Sequence, residues 1–286
     1  GGAANIAWNV AELGAQSVAL ALVGRDAFGH TLRDVLRRKG VDTERMVFDP
    51  ARQTPSFEKI RLADGAQTRE VRWDVVNRRP VSPEAESRFA QTLEAAAEGL
   101  DGLIVADYDE AGSGVLTPPV AACLNRIARS GTVRVLATSR LRIGVFTPVI
   151  AVVNDFEAVT AAGASGVGVF DAIPRAALES AGAALARQNG RVAFVTLGRE
   201  GMAVFAPDGS RADAPTVAAT GEVDICGAGD TALAAIAVAL CAGARPAEAA
   251  ALGNIAAHVT VRKIGITGVA SPEEVLLAYE QMAARR

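Results

Sequence analysis

The sequence predicts an α/β fold in which a mostly parallel central sheet is covered by helices on both faces. Two observations predict it, and one segment departs from the pattern. Short β-rich runs alternate with Ala- and Leu-rich runs of helical length, and this alternation is typical of strand–helix units that build a parallel sheet. The segment around residues 56–74 instead alternates apolar and charged side chains on either side of a turn. Thr231–Ala242 is apolar on every side, which favours a helix at the centre of the molecule.

The predicted elements follow this alternation along the chain. The predicted strands are Ser17–Leu22, Leu103–Ala106, Val133–Ala137, Ile150–Val153, Val192–Thr196 and Met202–Phe205. The predicted helices include Glu84–Glu98, Val120–Arg129, Thr231–Ala242 and Pro246–Arg262, together with a last helix that begins at a capping sequence at Ser271. Sheets of this kind bind ligands at the carboxyl ends of their strands.

The exceptional segment is a β-hairpin. Ser56–Leu62 and Thr68–Asp74 each alternate in character, and the turn between them contains Asp64 and Gly65. A hairpin that projects from an α/β domain serves as a lid over a site or as a dimer contact. An ordinary edge hairpin explains the pattern equally well.

Composition excludes several classes of function. The 286 residues carry a net charge of −3, which gives no electrostatic reason to expect nucleic acid or a membrane surface as partner. No apolar run reaches the ~18 residues of a membrane span. The cysteines, Cys123, Cys226 and Cys241, are scattered, which fits a reducing cytoplasm and argues against a cysteine zinc site. The two histidines, His30 and His258, are too few for a multi-histidine metal centre or a histidine-dependent triad.

The most informative motif is Asp224-Ile225-Cys226-Gly227-Ala228-Gly229-Asp230, directly before the apolar helix. Gly227, Ala228 and Gly229 leave their backbone amides accessible at a helix N-terminus, which favours an anion such as a phosphoryl group. Asp230 is placed to accept a proton from an attacking hydroxyl. A glycine-rich turn in which Asp230 only starts the helix remains an alternative.

Three weaker motifs accompany it. Gly1 and Gly2 permit close approach of a ligand to the backbone, and the nearby Asn5 offers both a donor and an acceptor to a sugar hydroxyl. Asn154-Asp155-Phe156-Glu157 follows a strand, where a carboxylate meets a phosphate-bound Mg²⁺ or where Asn154 and Asp155 merely cap the next helix. Thr196-Leu197-Gly198-Arg199-Glu200-Gly201 joins two strands and is able to lie against a flat nucleotide, although a simple turn explains it as well.

Together these motifs resemble the ribokinase-like (PfkB) carbohydrate kinases. The likeness runs from Gly1 to about Val275 and includes GGAANIAWNVAELGA at residues 1–15, NxxE at 154–157 and DICGAGDTALAAIAVALCAG at 224–243. Within the family, the heptose-7-phosphate kinase domain of ADP-heptose synthesis enzymes is similar in FEKIRL…REVRWD, in ADY at 106–108 and in RKIGITGVASPEEV at 262–275. The resemblance implies a three-layer α/β/α fold over residues 1–286, with the hairpin at about 54–76 as a lid.

The resemblance also implies an activity and roles for particular residues. The activity is transfer of the γ-phosphoryl group of ATP to a hydroxyl of a sugar or sugar phosphate, with Mg²⁺ and a monovalent cation such as K⁺. The implied catalytic residue is Asp230, with an anion hole at Gly227, Ala228 and Gly229. The implied substrate contacts are Gly1, Gly2, Asn5, Asp107 and Arg72, and the implied nucleotide contacts are Thr196, Gly198, Gly201 and Asn254. Asn154 and Glu157 would organise Mg²⁺ and the phosphates, and Asp224 would contact the monovalent cation. A cytoplasmic location and a homodimer formed through the hairpin are further expectations.

The sequence departs from the family pattern in several places. A first strand with a sugar-binding Asp usually precedes the double glycine, and this sequence starts at Gly1, so we expect the true start to be missing. Asp109-Glu110-Ala111 stands where the heptose kinases have Lys-Gly, and replacing a cation by acids weakens binding of a phosphorylated sugar. Thr138-Ser139-Arg140 replaces Asp-Pro-Lys, and Cys226 replaces a common Thr.

These departures leave a second hypothesis, a sugar- or nucleotide-binding regulatory protein that has lost catalysis. A dinucleotide-dependent oxidoreductase is disfavoured because no GxGxxG follows a first strand. A P-loop nucleotidase is disfavoured because no Lys-Ser/Thr follows the glycine-rich loop.

Overall fold

The structure is a computed structural model that describes residues 1–64, 67–110, 112–168, 171–216, 219 and 221–284, without the side chains of 59, 61, 63, 64 and 67–70. Its helices are α1 (Gly2–Glu12), α2 (Ala27–Arg38), α3 (Pro83–Ala97), α4 (Pro118–Ser130), α5 (Asp155–Ala161), α6 (Arg175–Asn189), α7 (Ala228–Cys241), α8 (Pro246–Thr260) and α9 (Pro272–Ala283). Its strands are β1 (Ser17–Val18), β2 (Leu22–Gly24), β3 (Val41–Asp42), β4 (Val47–Asp49), β5 (Ser56–Asp64), β6 (Gln67–Val75), β7 (Gly102–Asp107), β8 (Arg134–Ser139), β9 (Ile150–Asn154), β10 (Ala193–Thr196), β11 (Met202–Phe205) and β12 (Arg211–Ala214).

The main sheet has the strand order β12-β11-β10-β9-β8-β7. Strands β7 to β10 are parallel, whereas β11 and β12 are antiparallel additions at one edge. Their buried side chains are mostly Val, Leu, Ile and Ala, as expected for strands covered on both faces. The expected mostly parallel α/β sheet is therefore confirmed.

Helices cover both faces of this sheet. One core lies under α3, α4, α5 and α6 and includes Phe89, Leu124 and Leu185. The other lies under α1, α7 and α8 and includes Ile6 and Leu233. Successive residues of each parallel strand supply the two cores in turn, so the sheet forms the middle of three layers.

The parallel strands end together at one edge of the sheet. Asp107, at the end of β7, is in register with Ser139 at the end of β8, and Asn154, at the end of β9, is in register with Thr196 at the end of β10. Helix α7 packs against α1 and α8. This edge gathers residues from distant parts of the chain, including several that the sequence singled out.

The hairpin is confirmed, and the first predicted strand is wrong. Strands β5 and β6 pair antiparallel from Ser56↔Val75 to Asp64↔Gln67, while Gly65 of the predicted turn lies outside the described residues. The predicted strand Ser17–Leu22 is two short strands, because β1 pairs with β3 and β2 pairs with β4 in separate parallel pairs. No helix in the described ranges has both the length and the apolar character to cross a membrane.

Candidate active site

Helix α7 begins at a position that only glycine can occupy without strain. Gly227 has a φ of +83°, and a Cβ there would lie 2.7 Å from Cγ2 of Thr267 and 2.8 Å from Nδ2 of Asn5. A side chain would therefore be strained and would collide with two neighbours. The helix is buried along most of its length from Thr231 onwards, so core packing fixes where its first turn points.

The first-turn amides of α7 are the candidate anion hole. The amide of Ala228 donates to the carbonyl of Ile225 at 3.1 Å, and that of Thr231 donates to the carbonyl of Gly227 at 3.0 Å. The amides of Gly229 and Asp230 lie between them, where an α-helix has no earlier carbonyl to accept them. The amides of Gly229 and Asp230 therefore remain for an anion. The expected anion hole at Gly227, Ala228 and Gly229 stays a prediction, although the amide of Ala228 has a partner in Ile225.

Asp230 is half-buried in this first turn, and both of its carboxylate oxygens accept hydrogen bonds. The hydroxyl of Tyr108 donates to Oδ1 at 2.5 Å, and Nδ2 of Asn5 donates to Oδ2 at 3.2 Å. Burial raises the pKa of Asp230, while the hydrogen bonds from Tyr108 and Asn5 and the positive charge of Arg140 act in the opposite direction. The result is a positioned carboxylate that is more basic than an ordinary Asp.

A buried residue of α1 orients Asn5. Asn9 is 0% exposed; its Nδ2 donates to the carbonyl of Asn5 at 2.9 Å and to Oδ1 of Asn5 at 3.4 Å. Oδ1 of Asn9 accepts from the amide of Ala270 at 3.4 Å. Because Oδ1 of Asn5 faces Asn9, the amide group of Asn5 is turned toward Asp230. Asn9 belongs to none of the candidate site residues predicted from the sequence, although its spacing of four residues from Asn5 on one helix indicates a contact between them.

Gly2 is next to the ring of Tyr108. A Cβ at Gly2 would lie 2.2 Å from Cε2 of Tyr108, so the ring occupies the space that a side chain would fill. Gly1 is exposed at the N-cap of α1. A ligand was expected to approach Gly2 closely; in the structure the ring of Tyr108 does so, and no motif in the sequence indicates this contact.

Asn154 and Glu157 form a capping box at the start of α5. The amide of Glu157 donates to Oδ1 of Asn154 at 2.7 Å, and the amide of Asn154 donates to Oε2 of Glu157 at 3.1 Å. The motif therefore caps the helix, as the structural alternative expects, but through Asn154 and Glu157 rather than through Asp155. Glu157 is buried and burial raises its pKa, while its second oxygen, Oε1, is not used in the cap.

Arg140 places a positive charge among these carboxylates. Its Nε lies 3.4 Å from Oε1 of Glu110, and its Nη1 lies 4.0 Å from Oε1 of Glu157. The same charge lowers the pKa values of Asp230 and Tyr108 against the effect of burial. Arg140 follows the end of β8 and was noted in the sequence only as a departure from Asp-Pro-Lys. It lies at the centre of the candidate site.

The sequence profile of the pfkB family carbohydrate kinases matches residues 1–273. The chain belongs to this family. Its members are phosphotransferases that act on an alcohol group, so the carbohydrate-kinase resemblance drawn from the motifs is confirmed.

Curated proteins of two bacteria are similar to this chain over almost its whole length. The bifunctional protein HldE of Pelobacter propionicus is 35% identical over 283 residues, which cover 97% of this chain and 55% of that protein. The protein of the same name from Caulobacter vibrioides is 35% identical over 278 residues, covering 96% and 54%. The chain thus spans about half the length of the curated relatives it matches.

Solved structures share the ribokinase-like fold. The tetrameric inhibited form of phosphofructokinase-2 from Escherichia coli has a TM-score of 0.75 at 16% identity, covering 99% of this chain and 87% of that one. Ribokinase from Arabidopsis thaliana, complexed with ribose and ATP, has a TM-score of 0.69 at 19% identity, covering 97% and 86%. The predicted ribokinase-like three-layer fold is confirmed.

The remaining substrate-side residues of this PfkB chain differ in how open they are. Asp107 is 3% exposed; its Oδ1 accepts from Nη2 of Arg142 at 2.8 Å and its Oδ2 accepts from Oγ of Ser139 at 2.7 Å. Both oxygens are thus engaged within the chain, where they tie the end of β7 to the residues after β8. Substrate contact by Asp107 would require these bonds to open, and it stays a prediction.

Arg72 lies on β6 of the hairpin and forms an ion pair with Asp74 of the same strand. Its Nε lies 2.7 Å from Oδ1 of Asp74, and its guanidinium lies 5.4 Å from the ring centroid of Phe57. The hydrogen bond to Asp74 raises the pKa of Arg72, and Glu110 and Cys226 add to this effect. Glu110 and Cys226 are therefore close enough to act on the charge of Arg72, while substrate contact by Arg72 and a lid role for the hairpin stay predictions.

On the predicted nucleotide side, local structure accounts for each residue. Gly201 has a φ of +98°, and a Cβ there would lie 2.3 Å from the carbonyl oxygen of Ala214. Gly198 also has a positive φ, of +55°. Oγ1 of Thr196 donates to the carbonyl of Val153 at 3.4 Å. Nδ2 of Asn254 donates to the carbonyl of Ala214 at 2.5 Å. Nucleotide contact by these four residues stays a prediction.

Asp224 joins the loop before α7 to the segment after α8. Its Oδ1 accepts from the amide of Cys226 at 3.0 Å, and its Oδ2 accepts from the amide of Gly265 at 3.0 Å. In the ranges that the structure covers, no three His, Cys, Asp or Glu side chains converge to hold a metal ion. One buried carboxylate, Glu157, nevertheless fits a Mg²⁺ that arrives on nucleotide phosphates, because Mg²⁺ is commonly held by one or two carboxylates together with phosphates and waters.

Proposed function

We propose that this chain transfers the γ-phosphoryl group of ATP to a hydroxyl of a sugar or sugar phosphate, with Asp230 as the general base. The observation that carries the proposal is the position of the Asp230 carboxylate. It lies in the first turn of the buried helix α7, beside the amides of Gly229 and Asp230, and Asn5 holds one of its oxygens at 3.2 Å. Membership of the PfkB family supports the same chemistry.

In the proposed step, the acceptor hydroxyl gives its proton to Asp230 while its oxygen forms a bond to the γ-phosphorus. The bond from the γ-phosphorus to the bridging oxygen breaks, and ADP leaves. The raised pKa of Asp230 makes it a stronger base than an ordinary carboxylate. The amides of Gly229 and Asp230 stabilise the charge on the transferred group.

Cations near Glu157 complete this arrangement. Glu157, with Asn154 beside it, would hold a Mg²⁺ that would neutralise charge on the nucleotide phosphates. Arg140 lies 4.0 Å from Glu157, where its guanidinium would contact phosphate oxygens of the nucleotide. A monovalent cation near Asp224 remains a part of the proposal inherited from the family.

Heptose 7-phosphate is the first acceptor to test. It is suggested by the 35% identity to proteins named bifunctional protein HldE and by the motifs shared with heptose-7-phosphate kinase domains. Arg72 and Arg140 supply cations on the acceptor side, whereas Glu110 lies against Arg140 at 3.4 Å. A phosphorylated acceptor would therefore have to compete with Glu110 for Arg140, and unphosphorylated sugars belong in the same panel.

We further propose a cytoplasmic homodimer that forms through the hairpin. Ile60 and Val71 are cross-strand partners on one face of the hairpin, and Trp73 and Leu62 lie on that same face by strand alternation. These four side chains are between 42% and 62% exposed. The opposite face carries Arg72, which the proposal assigns to the substrate side. Exposed apolar side chains on one face of a hairpin fit a second copy of the same hairpin.

A binding protein without turnover is the second candidate. It is favoured by one observation: both oxygens of Asp230 already have donors, Tyr108 and Asn5. Such a protein would bind sugar or nucleotide and release no ADP.

An acceptor panel separates the two functions. ADP release with Mg-ATP is measured for heptose 7-phosphate, ribose, fructose and fructose phosphates, alongside the thermal shift that each ligand induces. The kinase proposal predicts ADP release with at least one acceptor and a phosphorylated product of matching yield. Thermal shifts with sugar and ATP but no ADP release would favour the binding protein.

A further inference from the structure

We propose that Tyr108 is a positioning residue: its hydroxyl occupies the place of the acceptor hydroxyl on Asp230 and keeps water off this base until a sugar binds. The inference rests on the proposed function of Asp230 as the base. It adds a device against wasteful hydrolysis of ATP, in which the acceptor must displace a hydroxyl that belongs to the protein itself.

The contact between Tyr108 and Asp230 has the geometry of an acceptor on its base. The Tyr108 hydroxyl lies 2.5 Å from Oδ1, close to the range over which a general base removes a proton. The other oxygen, Oδ2, accepts from Asn5 at 3.2 Å, and Asn9 fixes the orientation of Asn5. An incoming hydroxyl therefore finds Oδ1 as the oxygen to use, and Tyr108 already holds it.

Tyr108 is placed so that its side chain can move away from Asp230. It follows Asp107 at the end of β7, and 38% of its surface is exposed, although its hydroxyl is turned inward onto Asp230. Its ring packs on Gly2, which has no side chain to clasp it. Burial, followed by the charge of Asp230, raises the pKa of Tyr108. The phenol therefore stays protonated and donates to the carboxylate.

The need for such a device follows from the chemistry of the base. A free carboxylate beside bound ATP activates water as readily as a sugar hydroxyl, and water is present at far higher concentration. A sugar makes further contacts, for example with Asn5, and these offset the loss of the Tyr108 hydrogen bond. A water molecule has no such contacts. Displacement of Tyr108 thus favours the sugar over water.

The test is ATP hydrolysis in the absence of any acceptor, measured as release of inorganic phosphate. Tyr108→Phe retains the ring and removes the hydroxyl, and we expect acceptor-independent hydrolysis to rise about tenfold, the typical effect of losing a hydrogen bond to a charged group. Tyr279→Phe is the matched control. It removes the hydroxyl of the only other tyrosine in the sequence, 57% exposed on α9, and should leave hydrolysis unchanged.

Gly2→Ala provides a second, independent variant. Its new Cβ would lie 2.2 Å from Cε2 of Tyr108, so it displaces the ring while the hydroxyl remains. We expect acceptor-independent hydrolysis to rise here as well.

In Tyr108→Phe, the KM for the acceptor should fall, because the sugar no longer competes with the hydroxyl. The kcat for transfer should change by less than the rate of hydrolysis does.

Unchanged or reduced hydrolysis in Tyr108→Phe would overturn the proposal. A proportional fall of hydrolysis and sugar transfer would assign Tyr108 a supporting role for the base alone. Wild-type transfer to a sugar reports separately on the proposed function. If the wild type transfers phosphate to a sugar and hydrolysis is unchanged in Tyr108→Phe, only the proposed role of Tyr108 is wrong. If no variant shows turnover, both the proposed kinase function and the role of Tyr108 are wrong.

Discussion

Nη1 of Arg140 lies 4.0 Å from Oε1 of Glu157, and the two residues follow the carboxyl ends of neighbouring strands β8 and β9. Glu157 uses its other oxygen to cap α5. The carboxylate of Glu157 thus caps the helix with one oxygen and faces Arg140 with the other. Arg140 directly follows β8, so the sheet fixes its position. This relationship makes Arg140 the strongest new candidate for contact with the transferred phosphoryl group.

Arg140→Met should lower kcat/KM for ATP-dependent transfer by roughly a hundredfold, the usual effect of removing one donor to developing charge. Arg140→Lys should lose less, since it retains the charge but not the planar fork. Arg129→Met, on the exposed surface of α4, is the control. Equal activities for Arg140→Met and Arg129→Met, measured as ADP release, would exclude a role for Arg140 in transfer.

Asn9→Ala should reduce activity although Asn9 contacts no substrate. It leaves Oδ1 of Asn5 and the amide of Ala270 without their partner, so Asn5 is free to turn away from Asp230. We expect a loss of about 1–3 kcal/mol in the free energy of unfolding and a clear fall in kcat. Both are measured on the same preparation, by urea denaturation and by ADP release.

Asn189→Ala is the matched control for this prediction. Asn189 is also buried, donates to the carbonyl of Leu185 at 3.0 Å and accepts from the amide of Val149 at 3.0 Å, but it lies at the end of α6. The two variants should lose similar stability, and only Asn9→Ala should lose activity. A parallel fall in activity for both would show that Asn9 acts through stability alone.

The pH dependence of transfer should report on Asp230. Burial raises its pKa above the ordinary value of 3.8, and only the ionised carboxylate accepts a proton. kcat/KM should therefore be full above the raised pKa and fall as the pH is lowered through it. Tyr108 donates a hydrogen bond that lowers this pKa, so Tyr108→Phe should move the acid limb to higher pH. Tyr279→Phe should leave the limb in place, and movement to lower pH in Tyr108→Phe would contradict this assignment of the limb.

The hairpin dimer should depend on Trp73. This side chain is 62% exposed on the apolar face of the hairpin, and Trp73→Glu would place a charge in the proposed interface. Light scattering at micromolar concentration should find a dimer for the wild type and a monomer for Trp73→Glu. Leu276→Glu adds the same charge at a side chain that is 58% exposed on α9, and it should remain dimeric. A monomeric wild type would rule out the hairpin interface.

The sequence predicted a mostly parallel sheet and a buried helix after the glycine-rich loop because both depend on local patterns. β-rich runs mark β7 to β10, and the apolar run after Asp230 can only be a buried helix. The separation of Ser17–Leu22 into β1 and β2 was not predictable in this way. It depends on pairing with β3 and β4, which are short and lie many residues further along the chain.

The contacts around Asp230 were only partly predictable for a similar reason. Asn5 was identified by its motif, and the structure brings it to Asp230 across 225 positions of sequence. Tyr108 and Arg140 carry no local signal of their own. Their roles arise because parallel strands end at the same edge, and that proximity appears only once the strand order is known.

The central claim is that Asp230 removes the proton from the acceptor, and replacing its carboxylate tests this most directly. Asp230→Asn retains the shape of the side chain and abolishes its basicity, whereas Asp34→Asn makes the same change at an exposed residue of α2, where a surface ion pair contributes little. Both are compared with the wild type by single-turnover phosphoryl transfer to the best acceptor of the panel. The account predicts a loss of about a hundredfold or more for Asp230→Asn and wild-type transfer for Asp34→Asn; full transfer by Asp230→Asn would contradict it.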